Sequence, residues 1–221
     1  MDSTSSWIRI FEVLGLSSEP LVLAVAPRGS GAIAEALSRV APHAHITALH
    51  VTPCHPDDPV RARDLPLPVE QIAATAPDLP TRLSVHAFDL ALFDHAIDDI
   101  ICAAIAAKEG IAPGPGRAAR DPQPVMRALR AYWRTGELHE IAASAVTELL
   151  EVCRVALRPR GRLILTHQVF DSDLRLGQPL ELYADYIPLA RKWISEAGLP
   201  LRELALDGLD PQWSLCLEEV L

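Results

Sequence analysis

Residues 21–37 read Leu-Val-Leu-Ala-Val-Ala-Pro-Arg-Gly-Ser-Gly-Ala-Ile-Ala-Glu-Ala-Leu, and this stretch decides the fold. The apolar run Leu21–Ala26 is too continuous for a strand with one face in water, so it predicts a buried strand. Gly29 and Gly31 allow backbone conformations that a Cβ forbids, and from Ala32 the apolar spacing becomes helical. A strand, a glycine turn and a helix in this order seat nucleotide-like ligands. The same pattern also fits a plain strand-to-helix turn.

Composition favours layers of helix and sheet. The chain has 221 residues, of which 49% are hydrophobic and only 5% aromatic, so the core is expected to be rich in Ala, Leu, Val and Ile. This length suits one large domain, or one domain with an appendage. We expect a single domain over residues 1–221, with 1–18 as a helical extension. The net charge of −9 argues against nucleic acid and anionic membranes as partners.

The cysteines and the N-terminus predict a cytoplasmic protein. Cys54, Cys102, Cys153 and Cys216 are far apart and show no Cys-x-x-Cys spacing. The last three lie in apolar segments, which is typical of buried free thiols in a reducing compartment. The first six residues lack the basic region of a signal peptide, and no apolar run approaches the roughly 20 residues of a membrane span.

Strand and helix patterns alternate along the chain. This alternation predicts a mostly parallel sheet with helices on both faces, ending in an antiparallel hairpin. Residues 110–124 are rich in Gly and Pro and are expected to form a flexible loop at the mouth of a site. The predicted strands are 21–26, 45–51, 82–88, 98–104, 162–168, 201–206 and 213–220. The predicted helices are 5–16, 31–40, 68–76, 125–134, 137–157 and 180–197, with a short helical segment considered for 90–94.

Three segments resemble the class I S-adenosylmethionine-dependent methyltransferases, and the resemblance extends from Leu21 to the C-terminus. Leu149–Thr166 is similar to that family's helix–Arg-Pro-Gly-Gly–strand element, with Arg160 in place of the first Gly. Residues 196–199, Glu-Ala-Gly-Leu, end a helix before a hairpin, and 29–31 give the Gly-Ser-Gly turn. The resemblance implies a Rossmann-like seven-stranded sheet, S-adenosylmethionine as cofactor and methyl transfer to a small molecule.

The resemblance also implies which residues contact the cofactor, at the carboxyl ends of the first four strands. His50 stands where the family usually has the acidic residue that holds the ribose hydroxyls. Asp89, directly after a predicted strand, would accept the adenine amino group, and Cys102 would end the next strand beside the sulfonium. The full implied set is Ala26, Pro27, Gly29, Gly31, His50, Asp89, Leu90 and Cys102.

Two departures from the family pattern leave other functions open. Val25 (or Ala24) and Pro27 replace an acidic residue and a first glycine, and His50 replaces a carboxylate. A neutral imidazole offers one acceptor nitrogen, and losing a bond to a charged group costs about 1.5–3 kcal/mol. One alternative is a degenerate methyltransferase fold with a binding or scaffolding role. Another is an enzyme that performs non-methylating chemistry on S-adenosylmethionine.

Two residues are catalytic candidates. His167, at the end of a predicted strand, is proposed as a general base, or it caps the strand end by hydrogen bonding. Tyr132, with Trp133, could form an aromatic wall of the site or a helix–helix contact. Tyr183 and Tyr186 lie three residues apart on one helix face and form either a pocket rim with Asp171 and Asp173 or part of the core.

Other site chemistries find little support. The spacing of His86, Asp94, His95, Asp98 and Asp99 fits no metal-ligand pattern, so no metal is expected. The turn 29–31 is too short for a nucleophile elbow. The expected partners are a small-molecule substrate and, as an open alternative, a second copy of the chain in a homodimer.

Overall fold

A computed structural model describes residues 3–25, 31–50, 65–73, 79–111, 122–168, 175 and 179–220. It contains a seven-stranded sheet in the order β3-β2-β1-β4-β5-β7-β6. Only β7 runs against its neighbours, β5 and β6. The predicted fold class, a mostly parallel sheet with an antiparallel C-terminal hairpin, is confirmed. The strands are β1 Leu21–Val25, β2 His45–His50, β3 Val69–Ala73, β4 Phe88–Asp94, β5 Leu157–Thr166, β6 Leu201–Leu204 and β7 Ser214–Glu219.

Helices cover both faces of the sheet, as predicted. On one face, α1 and α2 pack against Val22, Ala24 and Leu92. On the other face, α4, α6 and α8 pack against Ala91 and Phe93. The described helices are α1 Ser3–Leu14, α2 Gly31–Val40, α3 Leu79–Arg82, α4 Ile97–Lys108, α5 Gln123–Thr135, α6 Leu138–Ala156, α7 Leu180–Ala184 and α8 Tyr186–Glu196.

Two further sequence predictions can be compared with the helices. Cys102, Cys153 and Cys216 are free and buried, as predicted, whereas Cys54 lies outside the described residues. The predicted helix 180–197 is interrupted at Asp185, which separates α7 from α8. Within the described residues, no helix combines the length and the apolar character needed to cross a membrane.

The segment between β2 and α5 differs most from the sequence prediction. Residues 98–104, predicted as a strand, belong to helix α4, and 82–88, also predicted as a strand, lie between α3 and the first residue of β4. Ile97, Ile101 and Ile105 recur at helical spacing along twelve residues, a length that favours helix over strand. Asp98 and Asp99 fall in the first helical turn, where the helix dipole favours negative charge.

Two more segments are corrected by strand pairing. Residues 68–76, predicted as a helix, contain β3, which pairs along its whole length with β2. Sheet pairing thus outweighs the helix propensity of Glu70 and Gln71. The segment 90–94, considered helical, is the buried part of β4. Residues 158–161 form a bulge within β5, because Phe88 pairs with Leu157 and Leu90 with Arg162. Of the predicted loop 110–124, residues 112–121 lie outside the described part.

Candidate functional site

The order of the strands defines a crevice at one edge of the sheet. From β1 the chain continues to β2 and β3 on one side, and β4 and β5 lie on the other. Open α/β sheets bind ligands at the carboxyl ends of the strands where the order reverses in this way. Val25 and Asp94 end the two strands at this switch point, and α2 begins nearby at Gly31.

Gly31 leaves open space at the start of α2. A Cβ built at this glycine meets no atom of the described residues within 4 Å. The backbone N–H groups of the first helical turn lack intrahelical partners and attract anionic or polar ligand groups. The preceding residues of the turn, which include the predicted contacts Ala26, Pro27 and Gly29, lie outside the described residues.

His50 ends β2, as the sequence predicts. Its side chain is half-buried, and burial lowers the pKa of the imidazole, which is therefore neutral near pH 7. Its Nε2 atom is buried and, within the described part of the chain, has no hydrogen-bond partner. A buried polar atom without a hydrogen-bond partner lowers the stability of the fold, and such atoms occur at sites that bind a ligand or a water molecule.

Asp94 ends β4 beside the crevice. The Thr166 hydroxyl donates to Asp94 Oδ1 at 2.6 Å, which ties the ends of β4 and β5 together. The Asp94 side chain is 17% exposed. No described residue donates a hydrogen bond to its second oxygen, Oδ2.

His95 follows Asp94 in a left-handed backbone conformation, with φ at +55°. Its N–H donates to the Thr166 carbonyl at 3.0 Å, and the backbone N–H of Gln168 donates to His95 Nδ1 at 2.9 Å. Because a backbone N–H can only donate, Nδ1 carries a lone pair and the ring proton is on Nε2. Nε2 lies 3.6 Å from Asp94 Oδ1. Such strained non-glycine positions cluster at functional sites.

His167 lies in an aromatic cluster behind His95. Its side chain is 1% exposed, and its ring centroid lies 4.4 Å from that of Tyr183 and 5.0 Å from that of Tyr186. The two tyrosine rings contact each other at 5.5 Å, and the His95 ring lies 6.2 Å from His167. Both tyrosines are fully buried, so the alternative in which they belong to the core is confirmed.

Asp89 and Leu90 are not part of the crevice. Asp89 is the second residue of β4, at the amino edge of the sheet, and does not follow a strand as predicted. Its carboxylate accepts hydrogen bonds from the Leu21 backbone N–H at 2.8 Å and from Arg158 Nη1 at 3.0 Å. Leu90 is fully buried and pairs with Val22 near the start of β1. The expected adenine contact depended on a strand that ends before Asp89, and the structure corrects that premise, because Asp89 and Leu90 lie within β4.

Cys102 and Tyr132 also differ from their predicted settings. Cys102 lies within α4 and is buried in the core, so it does not end a strand beside a ligand. The Tyr132 hydroxyl donates to Glu109, which raises the pKa of Tyr132 to about 12. Lys108 Nζ lies 5.1 Å from the centre of the Tyr132 ring. Lys108 is the last residue of α4, about 16 Å along the helix from its first residue, so the structure does not bring Tyr132 to His167.

The prediction missed Asp94 and His95 as members of the site. Their signal in the sequence is the apolar run Leu90–Phe93, which ends in a carboxylate as a buried strand does at a functional edge. Among the described residues, no three His, Cys, Asp or Glu side chains are grouped so that they could hold a metal ion.

Comparison with solved structures supports the fold. PH0851 superposes with a TM-score of 0.53 and 16% identity, over 98% of this chain and 45% of that one. A SAM-dependent methyltransferase from Aquifex aeolicus gives a TM-score of 0.50 and 13% identity, over 98% and 92%. NSun6 from Pyrococcus horikoshii, solved with SFG, gives 0.51 and 14%, over 97% and 51%.

The chain spans about half the length of PH0851 and NSun6. No family model matches the sequence, and no curated protein matches it significantly. The likeness to solved structures is therefore one of fold, and the strand order and the mixed sheet described above agree with it. The chain has the fold of the class I S-adenosylmethionine-dependent methyltransferases.

Proposed function

We propose that this protein is an S-adenosylmethionine-dependent methyltransferase that acts on a small molecule. The observation that carries the proposal is the buried Nε2 of His50, which lacks a partner among the described residues. His50 ends β2, the strand next to the switch point of a methyltransferase-type sheet. The space at Gly31 and the partly buried carboxylate of Asp94 at the end of β4 fit the same ligand. The cofactor supplies a methyl group on a positively charged sulfur.

The residues of the crevice divide the binding of this cofactor between them. The first turn of α2 offers backbone N–H groups and the positive end of its dipole to the methionine carboxylate. His50, at the end of β2, hydrogen-bonds a ribose hydroxyl with its neutral imidazole. Asp94 and His95 line the side from which the methyl acceptor approaches, and holding that acceptor in line is the main task of such an enzyme.

The groups that can take a proton from the acceptor also differ in role. His95 Nδ1 is occupied by the Gln168 N–H, and His167 is packed between two tyrosine rings. The Asp94 carboxylate lies at the crevice, and no described residue engages its Oδ2. This oxygen can therefore accept a proton. We therefore assign His167 to positioning of His95, and proton acceptance from a hydroxyl or amine to Asp94.

Calorimetry tests the proposal directly. We expect S-adenosylmethionine and S-adenosylhomocysteine to bind, and NAD, which occupies other doubly wound sheets, not to bind. Absence of binding of both adenosyl compounds at millimolar concentration would contradict the proposal. Binding with slow conversion to products other than S-adenosylhomocysteine would favour non-methylating chemistry on the cofactor.

A variant of His50 tests the ribose contact. Glu at this position restores a carboxylate with two acceptor oxygens, so His50→Glu should strengthen the binding of both adenosyl compounds by roughly tenfold. The matched control is His45→Glu, which makes the same change at the exposed first residue of β2, at the opposite edge of the sheet. Unchanged affinity in His50→Glu, or an equal gain in both variants, would contradict the contact.

A scaffolding role is the second candidate, and His50 is the observation that favours it. Without the usual carboxylate, the site loses a charge-assisted bond to the ribose. In a protein that has abandoned catalysis, neither wild type nor His50→Glu would bind the adenosyl compounds.

A further inference from the structure

We infer that the carboxylate of Asp94 makes the crevice select a cationic ligand, so that it binds S-adenosylmethionine more tightly than the neutral product S-adenosylhomocysteine. The inference rests on the proposed function and adds to it the charge preference of the site. Three features of Asp94 support it: its place, its bonding and the protonation of its neighbour.

The place of Asp94 is fixed by strand register. The pairing of β1 with β4 ends at Ala24 and Leu92, so Asp94 extends two residues beyond it, over the switch point. Leu90 and Leu92 pack in the layer of α1 and α2, and alternation along the strand puts Asp94 on that same face. Its bond to Thr166 agrees, because Ile164, two residues before Thr166, packs in the same layer. Asp94 therefore lies on the face where α2 begins.

Among the described residues, no cation neutralises the carboxylate of Asp94. Thr166 occupies Oδ1, and no described residue bonds Oδ2. A partly buried carboxylate without a cation is unfavourable. In the described part of the chain, the basic side chain paired with Asp94 is His95, whose Nε2 lies 3.6 Å from Oδ1.

The protonation of His95 preserves that charge. The Gln168 N–H donates to Nδ1, so the ring cannot take a second proton there while this bond is present. This geometry places the ring proton of His95 on Nε2 and leaves no second N–H at Nδ1. The left-handed backbone at His95 and its N–H bond to Thr166 hold the ring in this position.

The charge of the ligand changes during methyl transfer. The acceptor's lone pair forms a bond to the methyl carbon, the carbon–sulfur bond breaks, and its electron pair goes to sulfur. The sulfonium thereby becomes a neutral thioether, and the acceptor's proton passes to Asp94 or to water. A sulfonium bound near the Asp94 carboxylate would be attracted by its charge, whereas a neutral thioether would not, so a net preference of roughly tenfold for the cation is expected.

The test compares the two adenosyl compounds in matched variants by calorimetry. Asp94→Asn keeps an oxygen that can accept from Thr166 but removes the charge. This substitution should weaken the binding of S-adenosylmethionine about tenfold and change the affinity for S-adenosylhomocysteine by no more than about twofold. Asp207→Asn, an exposed position in the turn between β6 and β7, makes the same change in net charge and should alter neither. Equal effects of Asp94→Asn on both ligands, or no effect, would overturn the inference.

Two further measurements test the inference even if Asp94→Asn does not fold. Thr166→Val removes the 2.6 Å bond but keeps the carboxylate, so the ratio of the two affinities should stay within about twofold of wild type. In wild type, raising the salt concentration from about 0.05 to 0.5 M should weaken the binding of S-adenosylmethionine more than that of S-adenosylhomocysteine. A ratio that does not change with salt would overturn the inference. Wild type that binds neither ligand would instead overturn the proposed function.

Discussion

The two edges of the sheet differ in how their polar side chains are bonded. At the amino edge, Asp89 is paired with Arg158 at 3.0 Å. On the strands beside it, Glu218 of β7 lies between Arg162 and Arg202, at 2.6 Å and 2.8 Å. These carboxylates have guanidinium partners and close a network between strands.

At the carboxyl edge the strand ends carry polar atoms that no described residue satisfies. His50 Nε2 and Asp94 Oδ2 are such atoms. Unsatisfied buried groups lower stability, and proteins accept them where a ligand compensates. Polar side chains at the amino edge therefore stabilise the fold, whereas under the proposed function those at the carboxyl edge bind the ligand. The aromatic cluster of His167, Tyr183 and Tyr186 packs next to His95.

The largest expected effect is on that aromatic cluster. His167→Ala removes a buried ring from between Tyr183 and Tyr186, and the cavity should lower the free energy of unfolding by about 3 kcal/mol. His167→Phe keeps an aromatic ring of similar size and should recover most of the loss. Urea unfolding measures both. If His167→Ala is as stable as wild type, the ring does not contribute to the packing, and His167 is again a candidate general base.

Asp89 tests the amino edge. Asp89→Ala leaves the Leu21 N–H without its acceptor and Arg158 without its partner, which should cost about 1–3 kcal/mol of stability. The affinity of the folded protein for S-adenosylmethionine should not change. Asp89→Asn is the control, since its amide oxygen can still accept from Leu21. Weaker cofactor binding without loss of stability would show that Asp89 belongs to the site after all.

Much of the fold could be predicted from the sequence, and the reasons are local. The run at β1 is continuous and apolar, α6 has a long helical period, and the C-terminal hairpin has a turn of Gly and Pro between two strand patterns. Each of these patterns is compatible with one type of secondary structure, independent of the rest of the chain. His50 was located correctly for the same reason, because it ends a strand with clear boundaries.

The predicted strand ends differ from the structure where a short apolar run fits either a strand or a helix. The segment 97–108 suits a buried strand or a buried helix, and choosing the strand displaced β4 toward the N-terminus. That displacement put Asp89 and Cys102 at strand ends and left Asp94 and His95 unrecognised. The contact between Gln168 and His95 joins residues 73 positions apart, so no local spacing could indicate it.

Acid should reduce the stability contributed by the amino edge. Hydrogen bonding to Arg202, together with the charge of Arg162, lowers the pKa of Glu218 in the folded state. A lowered folded-state pKa stabilises the protein at pH values above the unfolded pKa, near 4.3, and this contribution disappears as the pH falls through the folded value. Glu218→Gln should therefore unfold at lower urea than wild type at pH 7, and the difference should vanish in strong acid.

The control for this pH dependence is Glu196→Gln, which breaks an exposed pair with Lys192 at 3.7 Å. Exposed pairs contribute little at any pH, so this variant should match wild type throughout. A difference between Glu218→Gln and wild type that stays constant from neutral pH to acid would show that the carboxylate's charge does not stabilise the sheet.

The smallest effect is expected at Tyr132, which lies away from both edges. Tyr132→Phe should leave stability and cofactor affinity unchanged, since the hydroxyl contacts only the Glu109 carboxylate among the described residues. The hydrogen bond that the hydroxyl donates to Glu109, together with burial and the charge of that carboxylate, raises the pKa of Tyr132 to about 12. Glu109→Gln should lower that pKa toward its usual value near 10, so that phenolate absorbance at about pH 10.5 is greater than in wild type. Loss of cofactor binding in Tyr132→Phe, with this titration unchanged in Glu109→Gln, would move Tyr132 from the surface of α5 to the wall of the crevice.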